Sequence, residues 1–224
     1  MKEKPQDLGL KAYGDNSGKG KNEIHHSIGL TLQEAFKTPS FYFVLISTLG
    51  LVICLASSIF YIPSFLTDTG IDPIIVGTIL SVLYTLNALG KLFMGKINDI
   101  LGIKTCIFYG GILFVISMGI TFYITSPFVA FIFAIIYGLS NPVASFPITI
   151  LTSEIFGEKY YSNILPIMQA TASIGSALAT PIIGTVYDKF GSYNLIFIIF
   201  IFLAIVSLVI TQLAYKFRPN FKNI

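Results

Sequence analysis

Few residues in this sequence combine reactive chemistry with useful spacing, and Lys91 is foremost among them. It stands within an apolar run over 74–95, where an ionisable side chain is costly unless it is paired, hydrated or functional. Tyr84, Asn87 and Lys91 recur at i, i+3 and i+7, one face of a helix. Together they offer a phenol, an amide and a cation to a small polar solute. Tyr61, Asn141 and Gln169 place further hydrogen-bonding groups in three other apolar runs. A competing reading remains open, in which Lys91 snorkels its ammonium to the membrane surface. Catalysis has no comparable set. His25 and His26 both lie in a polar N-terminal stretch, no apolar run carries His, Asp or Glu at depth, and no Gly-x-Ser-x-Gly occurs. A buried serine nucleophile needs a base within hydrogen-bond reach, so an intramembrane enzyme is the remote alternative. Two adjacent histidines make a poor metal site, and Cys54 and Cys106 form no CxxC pair. No cofactor, metal or disulfide is expected.

The elements that must position these residues follow from composition. The 224 residues are 54% hydrophobic and 11% charged, against about 25% charged in soluble domains, and the mean hydropathy is +0.79. The chain therefore reads as an all-α membrane protein with the lipid bilayer as solvent. Of its 14 basic and 11 acidic residues, 11 lie between Lys2 and Lys37. Apolar runs follow over 41–66, 74–95, 104–125, 127–150, 163–184 and 194–215, and each has the roughly 20 residues that a crossing needs. Six transmembrane helices are expected over 41–215, with a polar segment over 1–40 and a tail over 216–224. Thr31-Leu32-Gln33-Glu34 has capping-box spacing, which predicts a short interfacial helix before the first span. The polar breaks include 95–104, 154–162 and 188–194. Counting Lys and Arg on alternate sides puts 13 of the 14 on one side, with Lys189 alone on the other. Both termini are therefore expected to be cytoplasmic. The net charge of +3 belongs to this topology, and no nucleic-acid partner is expected. Ser57, Ser58, Tyr137, Ser145, Thr171 and Ser173 add polar groups to the spans, while Pro63, Pro142, Pro147, Pro166 and Pro181 interrupt them.

The break from Gly90 to Lys104 carries Gly95, Asp99, Gly102 and Lys104. This resembles the cytoplasmic loop signature of the major facilitator superfamily, Gly-x-x-x-Asp-Arg-x-Gly-Arg-Arg/Lys, from which Ile100 and Ile103 depart. Asp99 is expected at the start of the next helix, near its positive dipole end. Gly184 to Tyr193 echoes the motif on the outer side. Glu154 resembles the family's cytoplasmic carboxylate, with Lys96 or Lys104 its implied partner. Lys4 to Gly14 resembles the linker between the two six-helix halves, particularly in bacterial oxalate/formate antiporters and monocarboxylate transporters. The resemblance implies one half of the superfamily fold, its C-terminal six helices. The partner would be an N-terminal six-helix half or a second copy, in the plasma (inner) membrane. It further implies a secondary transporter for a small-molecule solute, with Lys91 in the place of a carboxylate-binding arginine. A point charge there replaces a bidentate fork, and the fifth span carries no second cation. A monocarboxylate, or a neutral solute, is thus the expected substrate class. A truncated relic, a split half, a homodimerising half and a non-transporting membrane partner all stay open.

Overall fold

Three of the six spans begin with a proline that the sequence places one residue inside the helix. Pro39, Pro73 and Pro127 open α2, α3 and α5, where the missing N–H has no intrahelical acceptor to lose. The computed structural model describes residues 29–144 and 146–219. Most of the expected linker, with the histidine pair and Lys4 to Gly14, lies outside the described residues. So do Ser145, the side chain of Ser57 and the end of the C-terminal tail.

The described residues are helical almost throughout. α1 (Leu32–Phe36) precedes α2 (Pro39–Asp68), α3 (Pro73–Leu101), α4 (Ile103–Thr121) and α5 (Pro127–Ser140). A 3-10 turn, Asn141–Ala144, leads to α6 (Phe146–Phe156), followed by α7 (Tyr161–Phe190) and α8 (Asn194–Lys216). Counting α5, the turn and α6 as one interrupted span, six segments are long and apolar enough to cross a membrane, as the hydropathy pattern predicts. The described residues thus form the expected all-α architecture of six apolar segments.

The spans differ from expectation mainly in overrunning their polar breaks. α3 continues six residues past Gly95, where the expected break begins, and stops at Leu101. Gly102 alone joins it to α4, with φ +80° and ψ 161°, a backbone region essentially restricted to glycine. The Gly102 N–H closes α3 on the Asn98 carbonyl, and the Gly102 carbonyl opens α4 on the Cys106 N–H. Asp99 therefore sits in the last turn of α3, not at the start of α4 as expected. Polar side chains alone do not end a helix, and residues 95–101 contain no proline to do so. For the same reason Glu154 is helical within α6, and α7 runs on to Phe190 before Gly191 (φ +63°) ends it.

The short helix before the first span forms as predicted. Thr31 accepts from the Glu34 N–H, and the Glu34 carboxylate accepts from the Thr31 N–H at 2.8 Å. That backbone hydrogen bond, with the side-chain one, pulls the Glu34 carboxyl below its ordinary value. Ahead of it Gly29 pairs with Gly157, and the Leu30 N–H donates to the Phe156 carbonyl at 2.9 Å. Phe41 then packs between Phe36 and Phe156. The segment is thus laced to the turn between α6 and α7.

Packing divides the spans into two classes. α2 lies against α8 and α7, while α5 lies against α3 and α4. In the most apolar stretch of each span, 56% of α2 and of α5–α6 is buried, against 22% of α3 and 24% of α7. α3 and α5 approach closely at Gly138, where an added methyl would stand 2.7 Å from the Leu83 carbonyl and 2.9 Å from Leu86 Cβ. Small residues permit such crossings in membranes. Gly138→Ala should therefore lower the thermal stability of the detergent-purified protein by about 1–3 kcal/mol. Gly77→Ala, which meets nothing within 4 Å, should not lower it.

Candidate functional site

Residue counting locates the centre of the bundle. α3 has 29 residues, about 43 Å of helix, and its midpoint is Asn87. The α5–α6 span, Pro127–Phe156, has its midpoint between Asn141 and Pro142. These two asparagines meet: Asn87 Nδ2 donates to Asn141 Oδ1 at 2.7 Å. Asn141 Nδ2 in turn donates to the Leu55 carbonyl at 2.9 Å and to the Tyr137 hydroxyl at 3.0 Å. That hydroxyl lies 2.6 Å from Ser58 Oγ and donates to the same Leu55 carbonyl at 3.1 Å. A polar chain thus ties α3, the α5–α6 break and α2 together at mid-span.

The break itself follows from sequence. Pro142 has no N–H to continue the α-helical ladder, so the chain tightens into the 3-10 turn that begins at Asn141. Freed backbone groups inside a bundle need partners, and the carboxamide of Asn141, only 8% exposed, brings the neighbouring helices into one network.

The predicted site residues fall into three groups. Tyr84 and Lys91 lie on the exposed face of α3, with Ser81 and Thr85 beside them, and Gln169 and Ser173 lie on the exposed face of α7. Asn87 is half-buried and links that face of α3 to the interior. Asn141 lies beneath the surface with its amide engaged on both sides, so it supports Asn87 and does not itself line an open face. Tyr61, half-buried on α2, donates its hydroxyl to the Thr180 carbonyl of α7. Tyr137 and Ser58, each visible in the sequence as a polar residue within a span, prove central to the network.

The contrast with the other exposed surfaces is chemical. α4 exposes Phe108, Ile112 and Ile116, and α8 exposes Ile198, Phe202, Ile205 and Val209. These are lipid-compatible side chains, whereas the middle of α3 and α7 exposes hydroxyls, an amide and an ammonium interspersed with Leu89, Leu92, Ile174 and Leu178.

The loop motif is also assembled, through a residue that sequence spacing did not reveal. Gly95 and Asp99 lie in α3, Gly102 forms the joint, and Lys104 opens α4. Lys104 Nζ stands 5.9 Å from the centre of the Tyr215 ring, and the Tyr215 hydroxyl donates to Glu154 Oε2 at 2.8 Å. The expected neighbours Lys104 and Glu154 are thus bridged by a phenol from α8. At the opposite end the Tyr187 hydroxyl donates to Asp68 at 3.0 Å, and the Tyr187 and Tyr193 rings approach to 4.4 Å. Burial first, and the Asp68 charge second, push the Tyr193 phenol up to about 12.

The mid-span network ranks its members by what deletion would strand. Tyr137→Phe leaves Ser58 and Asn141 both bonded to the Leu55 carbonyl and should cost about 1 kcal/mol. Asn141→Leu strands Asn87 and weakens both other helices, and should cost about 2–3 kcal/mol. Thermal unfolding of the two purified variants checks that order.

Comparison with known proteins agrees with this architecture. No curated protein matches the chain. The model of the Major Facilitator Superfamily matches residues 44–223, from early in α2 to beyond the end of α8. The chain belongs to the Major Facilitator Superfamily, a family of membrane transporters.

Proposed function

We propose that this chain is the C-terminal six-helix half of a secondary active transporter, moving a small solute by alternating access. The solute path runs along the exposed faces of α3 and α7, which in the working protein face an N-terminal six-helix half or a second copy. One observation carries this reading: the two least buried spans are those that expose polar side chains near their middles, among apolar ones. In lipid that arrangement would be unfavourable, while against a water-filled cavity it is what a permeation path needs.

Within this path Lys91 is the anion-binding residue. It lies four residues, about 6 Å, from the midpoint of α3. For a helix centred in a 30 Å hydrocarbon layer it stands about 9 Å short of the boundary, which favours a hydrated cavity over snorkelling. Tyr84 and Gln169 supply hydrogen bonds from α3 and α7, and Asn87 is held in orientation by Asn141. A single cation on this face suits a monocarboxylate, in keeping with the oxalate/formate and monocarboxylate transporter-like group. The Lys and Arg distribution supports cytoplasmic termini, and the resemblance to bacterial members of the superfamily supports a plasma (inner) membrane location.

Labelling tests the path without knowledge of the solute. Tyr84→Cys and Ser173→Cys should react with a membrane-impermeant maleimide in at least one solvent-accessible state, and Ile116→Cys should not. Equal inertness at positions 84, 173 and 116 would sink the proposal. In intact cells Thr69→Cys should label from outside and Glu158→Cys should not. In proteoliposomes of the complete transporter, Lys91→Ala should reduce monocarboxylate uptake about tenfold or more, the loss of a charge-assisted contact. Lys91→Arg should retain most of it.

A further inference from the structure

The seam between α4 and α8, away from the polar faces of α3 and α7, opens into a groove of about 290 Å³. Phe108, Ile112 and Ile116 form one wall, and Ile205, Val209 and Gln212 the other. A second cavity shares Phe108 and Gln212 and adds Lys104 and Thr105. The apolar groove therefore runs into a mouth that carries an ammonium, a hydroxyl and an amide. Lys216, one turn past Gln212 and exposed, adds a second cation at the same end.

The dimensions match one leaflet. Lys104 to Ile116 spans about 18 Å of helix, and the hydrocarbon of a single leaflet is about 15 Å thick. The other half of the seam is different. There the Phe122 and Phe197 rings meet edge to face at 6.2 Å, and among the described residues of α4 and α8 that end bears no Lys or Arg. A recess for an acyl chain and a cationic mouth for a headgroup thus occur together, in one leaflet only. The Lys104 ammonium has a loose ring contact with Tyr215, which leaves its donors available to an anion.

We propose that this groove is a binding site for an anionic phospholipid, with an acyl chain between α4 and α8 and the headgroup phosphate on Lys104, supported by Thr105 and Gln212. Basic pockets between transmembrane helices at the membrane surface favour such headgroups. A second copy of the chain would have to leave Lys104 against protein, whereas a lipid phosphate neutralises it.

The sequence contains no tryptophan, so a single introduced one reports its own surroundings. Ile205→Trp, or Val209→Trp at the same wall, is reconstituted in full-length protein. Quenching is then compared for phosphatidylglycerol and phosphatidylcholine brominated on their acyl chains. Phosphatidylglycerol should quench with a relative affinity about fivefold greater, the effect of one lysine at an anionic surface, and adding Lys104→Gln should abolish the preference. Phe202→Trp, exposed on α8 but outside the groove, should show none. Equal quenching by the two lipids at position 205 or 209 would overturn the proposal. So would a preference that survives Lys104→Gln, an equal preference at position 202, or protection from both lipids, as a covering protein would give.

Discussion

A break in a helix at the centre of a bilayer leaves backbone groups that hydrocarbon cannot satisfy, and the rest of this bundle is arranged around one such break. Pro142 interrupts the α5–α6 span, and Asn141 joins it to neighbouring helices through both ends of one carboxamide. The Leu55 carbonyl accepts from Asn141, Tyr137 and Ser58, which fixes α2 against α5. Asn87 brings α3 to the same point. Gly138 then sets how near α3 can come, because nothing larger fits beside the Leu83 carbonyl. Polar pairing and close packing act at one level, and neither would hold the three spans in register without the other.

With the interior so organised, the outer surfaces divide by chemistry. The pair α4 and α8 presents branched and aromatic hydrocarbon, suited to acyl chains. The pair α3 and α7 adds to its exposed hydrocarbon the groups of Tyr84, Lys91, Gln169 and Ser173, which need water or ligand. α2 packs on both α7 and α8, one helix from each environment. The assignment to a transporter family and the position of the polar face are thus independent observations that agree, one from the match over residues 44–223 and one from burial.

Much of the architecture was legible in the residue order. Six apolar runs became six spans, and Thr31 with Glu34 capped the short helix that their spacing announces. The helix ends were less legible, since charged and amide side chains at 95–101 are compatible with a helix that projects beyond the hydrocarbon; the stops lie at glycines with positive φ, Gly70, Gly102, Gly157 and Gly191. The mid-span network was half legible. Asn87, Asn141, Tyr137 and Ser58 are conspicuous as polar residues in apolar runs, but the Leu55 carbonyl that three of them share is a backbone atom with no signature in sequence. The bridge from Glu154 to Lys104 was hidden for a related reason. Tyr215 is 61 residues from Glu154, and no periodicity relates them.

The one-residue joint at Gly102 makes a lever of the helix that precedes it. α3 is rigid for about 43 Å and is attached to α4 with no intervening loop to absorb displacement. A tilt of about 10° about this fulcrum would sweep the far end of α3 by about 7 Å, enough to reposition a whole turn. Most of that travel occurs at the Pro73 end, while Lys91, nearer the pivot, moves far less. A given tilt therefore displaces the rim more than twice as far as Lys91, which moves about 3 Å.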